Sequence, residues 1–330
     1  MPVSSYHKLE QTNMNTLTDS SGPVHFGVDV AKDELVLDLR GATRRFPNDA
    51  KGIASLLKAV AKSAIVPHIV CEATGGYERP LANSALSQEM LVSVVQPQRV
   101  RAFAKSFGQL AKSDPLDAEL LSRYGAAIRP KSLIAKDSNR QQIDALLRAR
   151  SELIDAQQRE RNRAEHRVGE LLEQMHQDLD VVYKAHIRKI DKAVEALVAA
   201  DEPLCKIDRM LREVVGVGPQ TSRALLAFLP ELGLVGRRTI AALVGLAPYD
   251  KDSGKHKGKR FIQGGRSQIR KVLHMAAVSA SRSNEVLKKF YETLITNGKE
   301  FKVAIVAVAR KLLIYLNGIM AKFLKNPLAE

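Results

Sequence analysis

The chain has 330 residues, of which 45% are hydrophobic and 26% charged, a composition that suits a soluble protein with room for two cores and a connector. No run approaches the roughly 18 uninterrupted apolar residues of a membrane span, and residues 1–22 lack the basic-then-apolar order of an export signal. Two cysteines, Cys71 and Cys205, are too few for a disulfide framework or a zinc site, so the expected compartment is the cytoplasm. Lys and Arg total 51 against 36 acids, and a net charge of +15 favours a polyanionic partner, because neutralising phosphates releases counterions.

Residues 1–22 read as a flexible tail. Residues 23–131 alternate between strand and helix. Val24–Val30 is a short apolar run, Glu34–Leu39 alternates with period two, and Arg44–Phe46 is a candidate third strand. Asn48 or Asp49 caps a helix with Ile53, Leu56, Leu57 and Val60 on its apolar face. Pro67–Cys71 is a buried-strand candidate, Gly75-Gly76 precedes a helix through Leu86, and Leu91–Val95 is another strand. This order predicts an α/β sheet with helices packed on it.

Residues 138–200 contain no proline, and apolar residues recur at helical spacing from Leu146 to Met175. Eleven basic and eleven acidic residues balance on the wet face. A coiled-coil arm is expected, serving either as a dimer interface or as a hairpin within one chain.

Residues 201–330 are predicted to be mainly helical. Gly216-Val217-Gly218-Pro219 before an amphipathic helix resembles a helix-hairpin-helix element, in which Gly216 and Gly218 let backbone N–H groups reach a DNA phosphate. A Gly-rich turn between packed helices would leave the same letters. Between Arg237 and Lys271 ten basic residues face only Asp250 and Asp252. Glycines and serines interleave these cations, as in a loop that clasps a nucleic-acid backbone. Lys255, Lys257, Lys259, Arg260, Arg266 and Arg270 are its candidate phosphate contacts, and Arg99, Arg101 and Lys105 form a further basic face in the first domain. Two apolar-faced helices, around Ile269–Ser281 and Val303–Phe323, close the chain.

Four acids fall at telling places. Asp29 ends the first strand in GVDVAKD, Glu72 lies just beyond a later strand in CEATGGYE, and Asp114 and Asp117 open a helix in KSDPLDAELL. Residues three apart share a helix face, so the last two can point the same way. Such clustered carboxylates repel one another, and a pair of Mg²⁺ ions would relieve that repulsion while assisting an in-line phosphoryl displacement. Asp33, Glu78 and Glu119 read as solvated or supporting acids.

These segments, together with VVGVGP and APYDKDSGKHKGKRFIQGGRSQIRKVL in that order, resemble the DEDD insertion-sequence transposases related to the Piv DNA invertase, a group also described as bridge-RNA-guided recombinases. The resemblance implies a RuvC-like (ribonuclease-H-like) first domain with Asp29, Glu72, Asp114 and Asp117 as metal-binding acids. It implies a C-terminal transposase domain whose Ser253, in Ser-Gly, attacks DNA to form a 5′-phosphoserine. It further implies target and donor DNA, a non-coding guide RNA, and assembly as homodimers and homotetramers. Ser267 in GGRSQ is a second candidate nucleophile. A serine hydroxyl requires activation by a base or metal, and the resemblance implies that the metal-bound acids of one subunit meet the serine of another to supply it. Three other readings remain: a RuvC-type junction nuclease that uses water, a guide-independent DNA invertase, and an architectural DNA-binding protein without catalysis.

Overall fold

The computed structural model describes residues 22–106, 108, 114–135, 137–166, 168–249 and 260–325, with residues 114 and 115 described in backbone only. Residues 1–21 of the tail expected at 1–22, and residues 250–259 with Ser253, Lys255, Lys257 and Lys259, lie outside the described residues. The chain divides into two units between Ala135 and Lys136.

The first unit is built on β1 (Val24–Val30), β2 (Glu34–Asp38), β3 (Thr43–Pro47), β4 (Pro67–Glu72) and β5 (Leu91–Val95), with α1 (Ala50–Ser63) and α2 (Arg79–Ser87) among them. The strands lie in the order β3-β2-β1-β4-β5. β1, β2 and β3 pair antiparallel, whereas β1, β4 and β5 run parallel. Phe26, Val28, Leu35, Leu37, Ile69 and Cys71 alternate onto one face and bury against Ile53, Leu56, Leu57 and Leu81 of α1 and α2. Asp49 caps α1, accepting from the Gly52 N–H at 2.7 Å.

The other face carries α3 (Pro97–Ser106), a helix the sequence reading left out, and α4 (Asp114–Ile128). α4 lies directly on the β1 backbone. A Cβ on Gly27 would stand 1.9 Å from the Ala118 carbonyl oxygen, and the Gly27 N–H donates to Ser122 Oγ at 2.7 Å. Farther along, a Cβ on Gly125 would stand 2.8 Å from the His25 Cβ. Helix numbers fall as strand numbers rise, so α4 runs antiparallel to β1.

Beneath α4, His25 and His68 stack with ring centroids 4.8 Å apart, both buried. His68 Nε2 lies 2.8 Å from Ser93 Oγ, which in turn donates to the Lys131 carbonyl at 2.8 Å. Burial, and next the adjoining His25, push His68 down to about 4. Burial, and next Arg129, lower His25. Because the unfolded chain takes up the proton first, this contribution to stability is complete above the ordinary value of 6.5 and is lost as pH falls towards 4. Urea unfolding of the wild type should therefore show a loss of up to roughly 2–3 kcal/mol between pH 7 and pH 4.5 that His68→Asn shows much less. Parallel pH profiles for the two proteins would refute the assignment.

In the second unit α5 (Ser138–Ala164) and α6 (Glu170–Ala200) pack side by side, so the single long periodic segment is two helices parted at Gly169, whose φ is +123°. Only the base of this pair has an apolar seam: Ile143, Leu147, Val194 and Val198 are buried in the unit's core. Towards the tip the seam is polar. Asp180 accepts from Gln157 and Arg161, each at 2.8 Å, and pairs with Lys184 at 2.7 Å. Hydrogen bonds from Lys184, then Arg161, hold its carboxyl well below the usual range. Of the apolar residues expected to define the arm, Ile154, Val168, Leu171, Leu172 and Met175 are exposed.

The remainder of the unit comprises α7 (Glu202–Arg212), α8 (Pro219–Phe228), α9 (Arg237–Val244), the short pair β6 (Pro248–Tyr249) and β7 (Phe261–Ile262), α10 (Ser267–Ser283), α11 (Glu285–Thr296) and α12 (Phe301–Lys325). The basic run from Arg237 is thus not one loop: it opens as α9, passes through the β6–β7 pair and ends in α10. α12 is long and apolar enough to cross a membrane, but Ile305, Val308, Leu312, Leu313 and Leu316 are fully buried in the core of this unit.

Candidate active site and nucleic-acid interface

Parallel pairing of Val28 with Cys71 brings the next residues, Asp29 and Glu72, side by side at the same ends of β1 and β4. Opposed residues on neighbouring strands share a face. That face is α4's, because Gly27 and Val70, two residues earlier on each strand, both meet the helix. Antiparallel packing carries the start of α4 to the same edge. Stepping from Ser122 to Asp117 moves about 7 Å along a helix, and stepping from Gly27 to Asp29 about 7 Å along a strand. Asp117 therefore draws level with Asp29, and Asp114 lies one turn beyond it in the backbone. Asp29, Glu72 and Asp117 are all partly exposed.

The donor set is oxygen-only, which suits Mg²⁺ rather than a softer ion. Among the described residues no three candidate ligands stand close enough to form a ready metal cage. Backbone register places Asp29 and Glu72 at one edge, and the carboxylate of Asp114 lies outside the described residues.

Two residues shape this edge in roles that differ from those expected of them. Asn48, one of two candidate caps for α1, instead donates from Nδ2 to the Ala31 carbonyl at 2.8 Å and the Tyr77 carbonyl at 3.2 Å, tying together the loops after β1 and β4. Glu78, expected to be a solvated or supporting acid, is buried. Its Oε2 accepts from the Thr74 N–H at 3.1 Å, Thr74 Oγ1 at 2.9 Å and the Gly76 N–H at 2.8 Å. Burial raises its carboxyl, but the hydrogen bonds from its own N–H, Thr74 and Gly76 together outweigh that and hold it low. A carboxylate two residues after a Gly-Gly turn was the available signal.

The basic candidates separate by environment. Arg99, Arg101 and Lys105 are exposed on α3, whose Val100 is buried. In the α7–α8 hairpin the two glycines differ. Gly216 has φ +102°, and a Cβ there would stand 2.5 Å from the Ala280 Cβ, so packing on α10 already requires it. Gly218 precedes α8 with nothing within 4 Å of a Cβ, which leaves room for a phosphate at the helix start. Buried Asp208 accepts from Ser222 Oγ at 2.5 Å and fastens the hairpin's two helices. Arg260 is exposed just before β7, and Ser267, the second candidate nucleophile, is exposed as the first residue of α10. Arg266 and Arg270 depart from the expected phosphate role, since both guanidinium groups are engaged within the chain. Arg266 pairs with Glu231, and Arg270 donates to the Val244 carbonyl at 3.2 Å.

Two family models match in order along the chain: an IS110-type DEDD model described as a transposase over residues 26–177, and the transposase IS116/IS110/IS902 family over residues 208–292. The pilin gene-inverting proteins of Moraxella lacunata and Moraxella bovis are each 29% identical over 300 residues, spanning 88% of this chain and 93% of theirs. With both IS110-type transposase domains matched in that order, the chain is related to the IS110-type DEDD transposases and to the pilin gene-inverting proteins.

Proposed function

We propose that this protein is a DNA recombinase that moves or inverts DNA by strand cleavage and rejoining, with Asp29, Glu72, Asp114 and Asp117 binding two Mg²⁺ ions and Ser253 as nucleophile. The observation that carries this reading is the in-register placement of Asp29 and Glu72 on adjacent parallel strands, with the start of α4 brought beside them. The strand order β3-β2-β1-β4-β5, with only the first three strands antiparallel, supports a ribonuclease-H-like, RuvC-type assignment of this unit.

When bound, the metal ions would offset charge that develops on the scissile phosphate. The chain's own groups do the rest. Ser253 Oγ attacks phosphorus, the bond to the 3′-oxygen breaks, and a 5′-phosphoserine and a free 3′-hydroxyl remain. The serine's proton passes to a general base, and the leaving oxygen takes up another. Lys255, Lys257, Lys259 and Arg260 would hold the phosphate. Gly218 and the outer face of α3 would hold DNA or RNA backbone, contacts that position without reading sequence. A guide RNA would then supply target and donor specificity, in keeping with an aromatic content of only 5% and no tryptophan for stacking on unpaired bases. The exposed apolar residues Leu171, Leu172, Met175, Leu179 and Val182 on α6 support pairing of arms between protomers, in dimers and tetramers, as a coiled coil.

A second reading, guide-independent inversion, is favoured by the names of the two Moraxella relatives. One experiment separates these readings. Purified protein is incubated with Mg²⁺ and its element ends, with and without RNA transcribed from the flanking DNA, and covalent protein–DNA adducts are resolved on a denaturing gel. An adduct lost in Ser253→Ala and on chelation, but kept in Ser267→Ala, is the expected result. Adduct formation without RNA would favour the invertase. Cleavage by Ser253→Ala at the wild-type rate would remove the serine and leave a metal-dependent nuclease.

A further inference from the structure

The chain on either side of residues 250–259 is held by a clamp of backbone and arginine. Pro248 pairs with Ile262 and Tyr249 with Phe261, which brings both feet of the segment together. Behind them three glycines touch backbone to backbone. A Cβ on Gly245 would stand 2.2 Å from the Gly264 carbonyl oxygen, and one on Gly265 would stand 2.2 Å from the Gly245 nitrogen. All three adopt positive φ, at +77°, +66° and +68° for Gly245, Gly264 and Gly265. At Gly245 and Gly265 no side chain could enter without prising the feet from the end of α9, whereas at Gly264 only the positive φ favours glycine.

Arginines complete the clamp. Arg266 places Nη1 2.5 Å from Glu231 Oε2 and Nη2 2.5 Å from Oε1, a bidentate fork, and Nη1 also donates to the Phe228 carbonyl at 2.9 Å. Its backbone N–H donates to the Leu243 carbonyl at 3.0 Å. Arg270 Nη1 donates to the carbonyls of Val244 and Gly264. These bonds join the ends of α8 and α9 to the beginning of α10. A guanidinium whose fork already grips a carboxylate has compensated charge and few well-placed donors left for a phosphate.

We propose that Arg266, Glu231 and Arg270 are positioning residues of the recombination reaction, a clamp that sets the β6–β7 feet on the α8–α9–α10 core, and that they make no contact with nucleic acid. This rests on the reading that puts the nucleophile in the segment between those feet. Misplacing a reacting group by about 1 Å is enough to cost on the order of a hundredfold in rate.

The test compares full-length wild type with Glu231→Gln, Arg266→Lys and the reversed pair Glu231→Arg with Arg266→Glu, along two separate axes. Equilibrium binding of an element-end duplex without Mg²⁺, repeated over a series of salt concentrations, reads phosphate contacts. The rate of recombinant product with Mg²⁺ at saturating DNA reads positioning. A clamp leaves Kd within about twofold and the salt slope unchanged, lowers the product rate roughly ten- to a hundredfold in the single variants, and regains at least part of that rate in the reversed pair. Weaker binding by the reversed pair with a salt slope shallower by about one, or several-fold weaker binding by the charge-preserving Arg266→Lys at an unchanged slope, would mean that Arg266 touches a phosphate and would overturn the proposal. Wild-type product rates in both single variants would also overturn it. Should Arg266→Lys melt below the assay temperature, Glu231→Gln, which keeps the side chain's shape, carries the comparison. Failure of the serine assignment would show separately, as a wild-type rate in Ser253→Ala, and would leave the salt slopes untouched.

Discussion

Gly27→Ala is expected to be among the most damaging single-methyl additions in this protein. The new Cβ would stand 1.9 Å from the Ala118 carbonyl oxygen and 2.5 Å from the Ser122 nitrogen, both backbone atoms of α4 that cannot rotate aside. Relief requires the whole helix to lift from β1. The hydrogen bond from the Gly27 N–H to Ser122 Oγ would stretch or break as it does so. Overpacking of a well-filled core costs roughly 1–3 kcal/mol, and a clash with fixed backbone belongs at the top of that range or above it. For a unit of this size the melting temperature should fall by roughly 10 °C or more. The same movement carries Asp117 away from Asp29, so cleavage should fall even at temperatures where the protein stays folded. Gly318 in α12 provides the contrast: a Cβ there meets nothing within 4 Å, and Gly318→Ala should stabilise by about 0.5–1 kcal/mol through helix propensity. Calorimetry on both variants checks the pair. A Gly27→Ala protein that melts with the wild type would show that α4 does not rest on β1 as described.

Asp29→Asn should have the opposite profile, with stability kept and activity gone. The substitution preserves shape while removing one of the carboxylates gathered at the ends of β1, β4 and α4, so like-charge repulsion falls and the melting temperature should hold steady or rise slightly. Strand cleavage in Mg²⁺ should drop by about a thousandfold or more, as losing several kcal/mol of transition-state stabilisation requires. Glu72→Gln should behave alike, and the double variant should be no worse than either single, because residues that act as a unit are not additive. DNA binding without metal should stay near the wild-type level, since neither side chain carries positive charge. Cleavage within tenfold of wild type would exclude Asp29 from the reaction.

The strands were legible because each is a short apolar or alternating run between turn residues. β1 and β5 occupy the expected residues, and β2, β3 and β4 differ by one residue at an end or at each end. α3 escaped notice because PQRVRAFAKS exposes two arginines and a lysine and buries only Val100, too narrow a stripe for a periodicity argument. α9 and α11 were missed for different reasons. α9 has only eight residues and is masked by the cationic stretch that follows, while α11 adjoins α10 with a single residue, Asn284, between them. In the arm, apolar spacing alone could not distinguish a buried seam from an exposed stripe. His176, Asp180, Gln157 and Glu160 face inward at the tip, where Leu171, Leu172 and Met175 would have been the natural guess.

What the sequence determined by itself was chemical type: an excess of cations, an oxygen-only set of acids at strand and helix ends, and glycines where backbone must come close. Those properties are local, written in residue identity and spacing. Which charges remain available to a ligand was decided only by the tertiary structure. Arg99 and Arg101 stay exposed, whereas Arg266 and Arg270, read from the same kind of basic run, turn inward to a carboxylate and to carbonyls. Gly216 and Gly218, two residues apart in one motif, divide in the same way between packing and open space. The physical reason is that a group's role depends on what it meets, and each of these residues meets a part of the chain far away in sequence: Val244 for Arg270, Glu231 for Arg266 and Ala280 for Gly216.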